Sequence, residues 1–261
     1  MDLSLRGRTA LVCGSTQGIG LASAIELAAL GANCILLARN EEKLREIVAQ
    51  LPSSESQQHS YAVADFADPA SIRNAIQKIV SEKHITILVN NTGGPAAGPI
   101  INAEPDAFIA AFTQHLVANQ ILVQAVVPTM KQEGYGRIIN IISTSVKIPL
   151  NNLGVSNTTR GAVASWAKTM ANELGGFGIT VNNVLPGFTS TARLESLANT
   201  LASNKGISVE EQSAAMAAEV PAKRFGSASE IAAVVAFLAS PAASYVNGTS
   251  IPVDGGRTGT I

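Results

Sequence analysis

Two stretches carry residue types at spacings that can do chemistry. The first is "CGSTQGIG", residues 13–20, where Gly14, Gly18 and Gly20 allow a tight turn and a close backbone approach to a pyrophosphate. An apolar run precedes it and a helical pattern follows. The loop of Gly14, Ser15, Gln17, Gly18, Ile19 and Gly20 is therefore expected to hold phosphates at a helix N-terminus. The second is "NLGVSNTTRGAVASWAK", residues 152–168, where Ser156 and Arg160 lie four apart and share one face of a helix. No Tyr, His, Cys, Lys or acid joins them before Lys168. A hydroxyl and a guanidinium can hold a carbonyl or a ribose, but a guanidinium stays protonated and cannot serve as an acid.

A third signal sits after the next apolar run. "LLARNEEKL" offers Arg39 and no acid before Glu41, about 20 residues past the glycines, where an Arg accommodates the 2′-phosphate of NADP and an acid would accept from the ribose of NAD. NADP(H) is the expected cofactor. The alternative is a solvated arginine flanking the next helix.

These residues need a scaffold, and the rest of the chain supplies one. Apolar runs "TALVCG", "NCILLA", "YAVAD", "ITILVNN", "RIINIIS", "GITVNNVLP" and "TSIPVDGG" alternate with helix-period segments. Leu44, Ile47, Val48 and Leu51 mark one helical face, as do Ile72, Ala75, Ile76, Ile79 and Val80 after the helix start Asp68-Pro69. Ser227 and Glu230 form a capping-box pattern. Continuous rather than alternating apolar strands are typical of a parallel sheet covered on both faces. The fold expected is α/β: one Rossmann-like, doubly wound parallel sheet of seven strands with helices on both faces, a single domain over residues 1–261. Ligands in such sheets bind beyond the carboxyl ends of the strands, so residues just after each strand carry the functional weight. Segment 188–220 is the long stretch without a strand signal. Its Ala, Ser and Leu with Met216 read either as an apolar pocket wall or as a surface amphipathic helix.

Composition narrows the classes. Of 261 residues, 46% are apolar and 14% charged, with net charge −1, which excludes disorder and leaves no electrostatic footprint for nucleic acid. No apolar run approaches the roughly 20 residues that span a bilayer. Cys13 and Cys34 each fall in a strand-like run and read as reduced core residues, so a cytoplasmic setting is expected and no metal spacing is present.

The glycine spacing, Asp65 after the third strand, "NNTG" at 90–93, "RIINIIS", "LPGFTST" and the closing "VDGG" together resemble the short-chain dehydrogenase/reductase family, nearest to its 3-oxoacyl-(acyl-carrier-protein) reductases. The similarity runs from about residue 3 to 256. It implies a nicotinamide cofactor with adenine contact by Asp65, backbone approach at Asn91 and Gly93, and carboxamide contacts near Pro186, Gly187, Thr189 and Thr191. It also implies a small-molecule carbonyl or hydroxyl substrate, a mobile substrate loop at 188–220, and a homotetramer that buries the last helix, "IAAVVAFLA". Cys13 stands where the family usually has Thr, and Thr92 where it has Ala.

The family's chemistry uses Asn, Ser, Tyr and Lys. The resemblance assigns the serine to Ser143, the tyrosine position to Ser156, the lysine position to Arg160 and the asparagine position to His115, with Asn119 one helical turn away. A phenol starts near pKa 10, whereas a serine hydroxyl lies far above it and gives up its proton much less readily. Tyr135, Tyr245, His59 and His84 fall at the wrong edge of the sheet to replace it, and Tyr61 precedes the end of its strand. His115 alone lies on a helix expected beside the site. It reads either as a proton relay titrating near neutral pH or as a helix histidine satisfied by a backbone carbonyl. Ser156 and Thr158 read alternatively as capping hydroxyls. Three functions follow. The first is an NADP(H)-dependent oxidoreductase with a reassigned proton path, the second a non-catalytic NADP(H)-binding sensor or partner subunit, the third a small-ligand binder without turnover.

Overall fold

The computed structural model describes residues 1–54 and 56–260. Seven strands pair in parallel: β1 (Thr9–Cys13), β2 (Asn33–Ala38), β3 (Ser60–Val63), β4 (Ile87–Asn90), β5 (Gly136–Ile141), β6 (Ile179–Pro186) and β7 (Ser250–Val253), in the order β3-β2-β1-β4-β5-β6-β7. The helices are α1 (Gly18–Ala29), α2 (Glu41–Gln50), α3 (Pro69–Glu82), α4 (Pro105–Phe112), α5 (Ala118–Glu133), α6 (Gly154–Leu174), α7 (Ala192–Lys205), α8 (Val209–Ala218) and α9 (Ala228–Ala239). This is the doubly wound arrangement expected.

The pleat explains the unbroken apolar runs. Leu11 and Cys13 face a layer built by α3, α5 and α6, whereas Ala10 and Val12 face α1, α2 and α9, so both sets are buried. Cys13 and Cys34 are free thiols, and burial pushes the Cys34 thiol up to about 12. The Asp68 carboxylate accepts from the Ala70 amide to open α3, and Ser227 and Glu230 cap α9 reciprocally. Among the described residues no helix is long and apolar enough to cross a membrane.

Three features depart from the sequence reading. The strands nearest the middle and β7 edge are not wholly apolar. Parallel register sets Asn90, Asn140, Asn183 and Ser250 side by side, and their side chains bond in line at 2.8, 2.9 and 3.0 Å. Segment 188–220 holds α7 and α8, and its apolar residues pack on each other: Leu194, Ala198 and Met216 form a small core with Phe188 and Phe225. Met216 is thereby part of a satellite core rather than a pocket wall. The last helix, α9, is apolar because it packs on α1 and the sheet of its own chain, burying Ile231, Val235 and Leu238.

Between α4 and α5 the chain passes through one π-helical turn, Thr113–Val117. Wider turns of this kind recur at functional sites. Here the turn carries His115.

Candidate functional site

The glycine loop leaves β1 at the carboxyl edge of the sheet. Gly14 and Gly18 have φ of +57° and +56°, a region that disfavours side chains. A Cβ on Gly14 would lie 2.5 Å from the Asn91 carbonyl oxygen, and one on Gly20 would lie 2.2 Å from the Gly14 carbonyl oxygen. Gly14 thus makes the turn and Gly20 the close packing, held by the Asn91 amide, whose Nδ2 donates to the carbonyls of Cys13 and Gly14 at 3.2 Å. A Cβ on Gly18 would meet only Thr191, at 3.4 Å, so this glycine leaves its backbone open to an approaching group.

The first amides of α1 have no side-chain cap: Gln17 precedes the helix without accepting from it. Ile19 is half-buried against the core below. Ser15 is fully buried with its Oγ unpartnered among the described residues. Uncapped helix amides, an orphaned hydroxyl and a glycine cradle are what a pyrophosphate fills.

The other expected contacts fall along the same edge. Arg39 follows β2, exposed and free of ion pairs among the described residues. Asp65 lies two residues past β3, its Oδ1 accepting from the Ala67 amide. Gly93 is exposed after β4, and no atom stands within 4 Å of where its Cβ would be. Pro186 ends β6. The Gly187 amide donates to the Val253 carbonyl, Thr189 is buried, and Thr191 caps α7.

The residues without a cofactor signature also converge. Arg160 on α6 is buried, at 9% exposure. Its Nε donates to Ser156 Oγ at 3.3 Å, and its Nη1 donates to the carbonyls of Ile141 and Ile142 at 3.2 and 2.9 Å. Those carbonyls lie just before Ser143, which is half-buried with its Oγ accepting from the Ser145 amide. Desolvation first, and the nearby Arg193 charge second, bring Arg160 down to about 10, so it remains charged at neutral pH. The Ser156 and Thr158 hydroxyls cap nothing: Thr158 Oγ1 donates back to the Gly154 carbonyl, and Ser156 is held by Arg160.

His115 is buried at 5% exposure, and its Nδ1 shares a 2.6 Å hydrogen bond with Thr92 Oγ1. Its Nε2 is buried and unpartnered among the described residues. Desolvation, then the charges of Arg160 and Arg193, pull it down to about 3, against a small opposing pull from the Gly93 carbonyl. This corrects the expectation that the ring titrates near neutral pH. Its short hydrogen bond goes to the Thr92 hydroxyl, with the Gly93 backbone as a weaker neighbour. Asn119 is buried one turn farther along α5.

The remaining phenols and imidazoles lie elsewhere. Tyr135 starts β5 and donates to the Ala239 carbonyl at 2.6 Å, Tyr245 is fully exposed, and Tyr61 Oη donates to Glu41. The His59 Nδ1 accepts from the Cys34 amide and His84 pairs with Glu133.

Sequence reasoning missed Arg193. It stands in the first turn of α7 and reaches across the cleft, its Nη1 and Nη2 donating to the carbonyls of Gly94 and Pro95 at 2.9 and 3.1 Å. The signal was its place two residues after Thr191, but its reach depends on how α7 lies over β4. A cleft of about 240 Å³ opens beside the turn after Ser143, lined by Thr144, Ile148, Leu150, Glu219, Arg257 and Thr258.

Known proteins show the same organisation. A protein-family model described as enoyl-(acyl carrier protein) reductase matches residues 14–258. The NADPH-dependent reductase BacG of Bacillus subtilis is 33% identical over 256 residues, covering 97% of this chain and 99% of that protein. The 3-oxoacyl-[acyl-carrier-protein] reductase FabG of Haemophilus influenzae is 35% identical over 255 residues, covering 97% of this chain and 98% of that protein. The L-sorbose reductase of Gluconobacter frateurii, solved with NADPH and L-sorbose, superposes with a TM-score of 0.93 at 31% identity over all of both chains. A glycine cradle after β1, its supporting asparagine just past β4 and likeness along nearly the whole length have one common explanation: the chain belongs to the short-chain dehydrogenase/reductase family.

Proposed function

We propose that the protein is an NADP(H)-dependent oxidoreductase that interconverts a carbonyl and a hydroxyl on a small molecule, with a proton-transfer site unlike the family's usual one. The observation that carries this reading is the uncapped, glycine-lined start of α1, set on the same sheet edge as Ser143, Ser156 and Arg160. The relatives named for NADPH support the cofactor choice, as does the exposed Arg39. The loop from Gly14 to Gly20 holds the pyrophosphate, Arg39 the 2′-phosphate and Asp65 the adenine. Asn91, Gly93, Pro186, Gly187, Thr189 and Thr191 border the nicotinamide half. Bound NADPH supplies the hydride.

The chain's own groups do the rest. Ser143 and Ser156 donate to the carbonyl oxygen, and Arg160 steadies the negative charge that develops there. Among the described residues no phenol stands beside Ser143 and Ser156, and the Glu219 carboxylate that lines the cleft is paired with Arg257, so the proton arrives through water. The neutral His115 accepts on one ring nitrogen while releasing from the other, with Thr92 as its partner. Segment 188–220, tied across the cleft by Arg193, acts as the substrate loop. The assembly proposed is a homotetramer in the cytoplasm. The half-exposed Val234 and Phe237 are what α9 has left to offer an interface, and light scattering tests the assembly.

One observation favours a second reading, NADP(H) binding without turnover. At neutral pH Arg160 stays charged and His115 stays neutral, so neither is poised to exchange a proton. A direct NADPH titration run beside NADPH-absorbance assays on a panel of ketones and 3-oxoacyl thioesters separates the two. Binding with turnover supports the first reading, and binding without turnover on any of them supports the second.

A further inference from the structure

Arg160 and Arg193 come from different elements, α6 and α7, and meet at one glycine. A Cβ added to Gly94 would lie 2.6 Å from Nη2 of Arg193 and 3.2 Å from Nη2 of Arg160. Every other strongly placed arginine near the cleft is matched: Arg257 pairs with Glu219 and Arg224 with Glu230. Arg160 and Arg193 have no carboxylate partner among the described residues. Their bonded neighbours are neutral: four backbone carbonyls and the Ser156 hydroxyl oxygen satisfy N–H groups but bring no net charge.

Arg160 is a buried cation without a counter-charge, which is costly, and the exposed Arg193 beside it adds repulsion. Nη2 of Arg160 carries no protein acceptor among the described residues, and it lies close to Gly94 and to Nη2 of Arg193. His115, buried and unpartnered at Nε2, lies within the field of both charges. A site with two guanidinium edges, a spare imidazole nitrogen and no acid is built for an oxyanion.

We propose that the substrate is an anionic carbonyl compound, its carboxylate paired with the guanidinium edges of Arg160 and Arg193 beside Gly94. This inference rests on the oxidoreductase reading and names its substrate class. The carboxylate would complete the charge balance of the cleft and fix the carbonyl's orientation toward Ser143 and Ser156. Neutral analogues lose both effects.

The test is equilibrium binding to the NADP⁺-saturated protein, by calorimetry or ligand-observed NMR, which needs no turnover. The probes are 4-oxopentanoate and phenylpyruvate, each against its methyl ester, with NADPH affinity measured in parallel. Each acid is expected to bind roughly 10- to 100-fold more tightly than its ester. Arg193→Gln should erase most of that preference and Arg193→Lys should keep part of it. Gly94→Ala, whose methyl would crowd the Arg193 guanidinium and force it to shift without removing a charge, should also weaken it. Esters that bind as well as the acids, or acids that do not bind at all, overturn the inference. So does an Arg193→Gln protein that loses NADPH affinity instead, because Arg193 would then serve the cofactor's phosphates. A wild-type protein that fails to bind NADPH overturns the underlying oxidoreductase reading, a separate result.

Discussion

Thr92 Oγ1 and His115 Nδ1 lie 2.6 Å apart, joining the loop after β4 to the π turn before α5. Both positions depart from the pattern that the family resemblance leads one to expect, Thr92 for an alanine and His115 for an asparagine. Ser156 and Arg160, which the resemblance sets at its tyrosine and lysine positions, are likewise bonded to each other. These four residues form two touching pairs, each hydrogen-bonded within itself.

The Thr92–His115 pair should make stability fall in acid. Folding lowers the imidazole from its usual 6.5 to about 3, so the unfolded chain binds more protons between those values. Stability from this residue is complete above about pH 6.5 and is lost as pH falls toward 3, roughly 2 kcal/mol by pH 5. Thermal unfolding of His115→Asn should show a shallower fall between pH 6.5 and 4.5 than wild type. Parallel curves would show that the ring is not held neutral.

Arg39 should set cofactor choice. Charge-assisted bonds to a 2′-phosphate contribute about 1.5–3 kcal/mol, so Arg39→Ala should weaken NADPH roughly 10- to 100-fold and leave NADH nearly unchanged. Fluorescence titration of both cofactors measures it. Equal affinity for the two in the parent protein would exclude this role for Arg39.

Gly18 should be where the backbone meets the pyrophosphate. Its φ of +56° penalises any side chain by about 1–2 kcal/mol, and a branched one would also block the open face. Gly18→Val is expected to fold with a lowered melting temperature and to lose NADPH binding. Undiminished binding by calorimetry would move the cofactor site elsewhere.

Placing a phenol and a lysine where the family resemblance leads one to expect them should raise the rate on a simple ketone or 3-oxoacyl thioester. Ser156→Tyr with Arg160→Lys supplies a phenol and a cation that lowers its pKa. The gain expected in kcat/KM is about 10²–10⁴-fold, the usual worth of general acid catalysis. The exchange also gives up the Arg160 bonds to the Ile141 and Ile142 carbonyls, so some stability should be lost. A double variant that folds, binds NADPH and stays inert would show that the substrate pocket, rather than the missing phenol, limits the chemistry.

The sequence by itself determined the layering and the cofactor end. Seven apolar runs separated by helical periods permit little besides a covered parallel sheet, and a glycine loop between strand and helix acts through its own backbone. Asp68-Pro69 and the Ser227–Glu230 pair are equally local, because a cap needs only its neighbours. Tertiary structure decided what depends on residues far apart in the chain. Asn90, Asn140 and Asn183 look like lapses in apolar strands until parallel register makes them adjacent. The His115 side chain titrates near neutral pH in isolation, and only burial beside Arg160 and Arg193 makes it neutral throughout the physiological range. Arg193 lies 99 residues from Gly94, and nothing local foretells that its guanidinium reaches that carbonyl. Spacing along the chain fixes which groups share a helix face. Which charges share a cleft is set by the docking of α6, α7 and the β4 loop, since desolvation and Coulomb forces act through space rather than along the backbone.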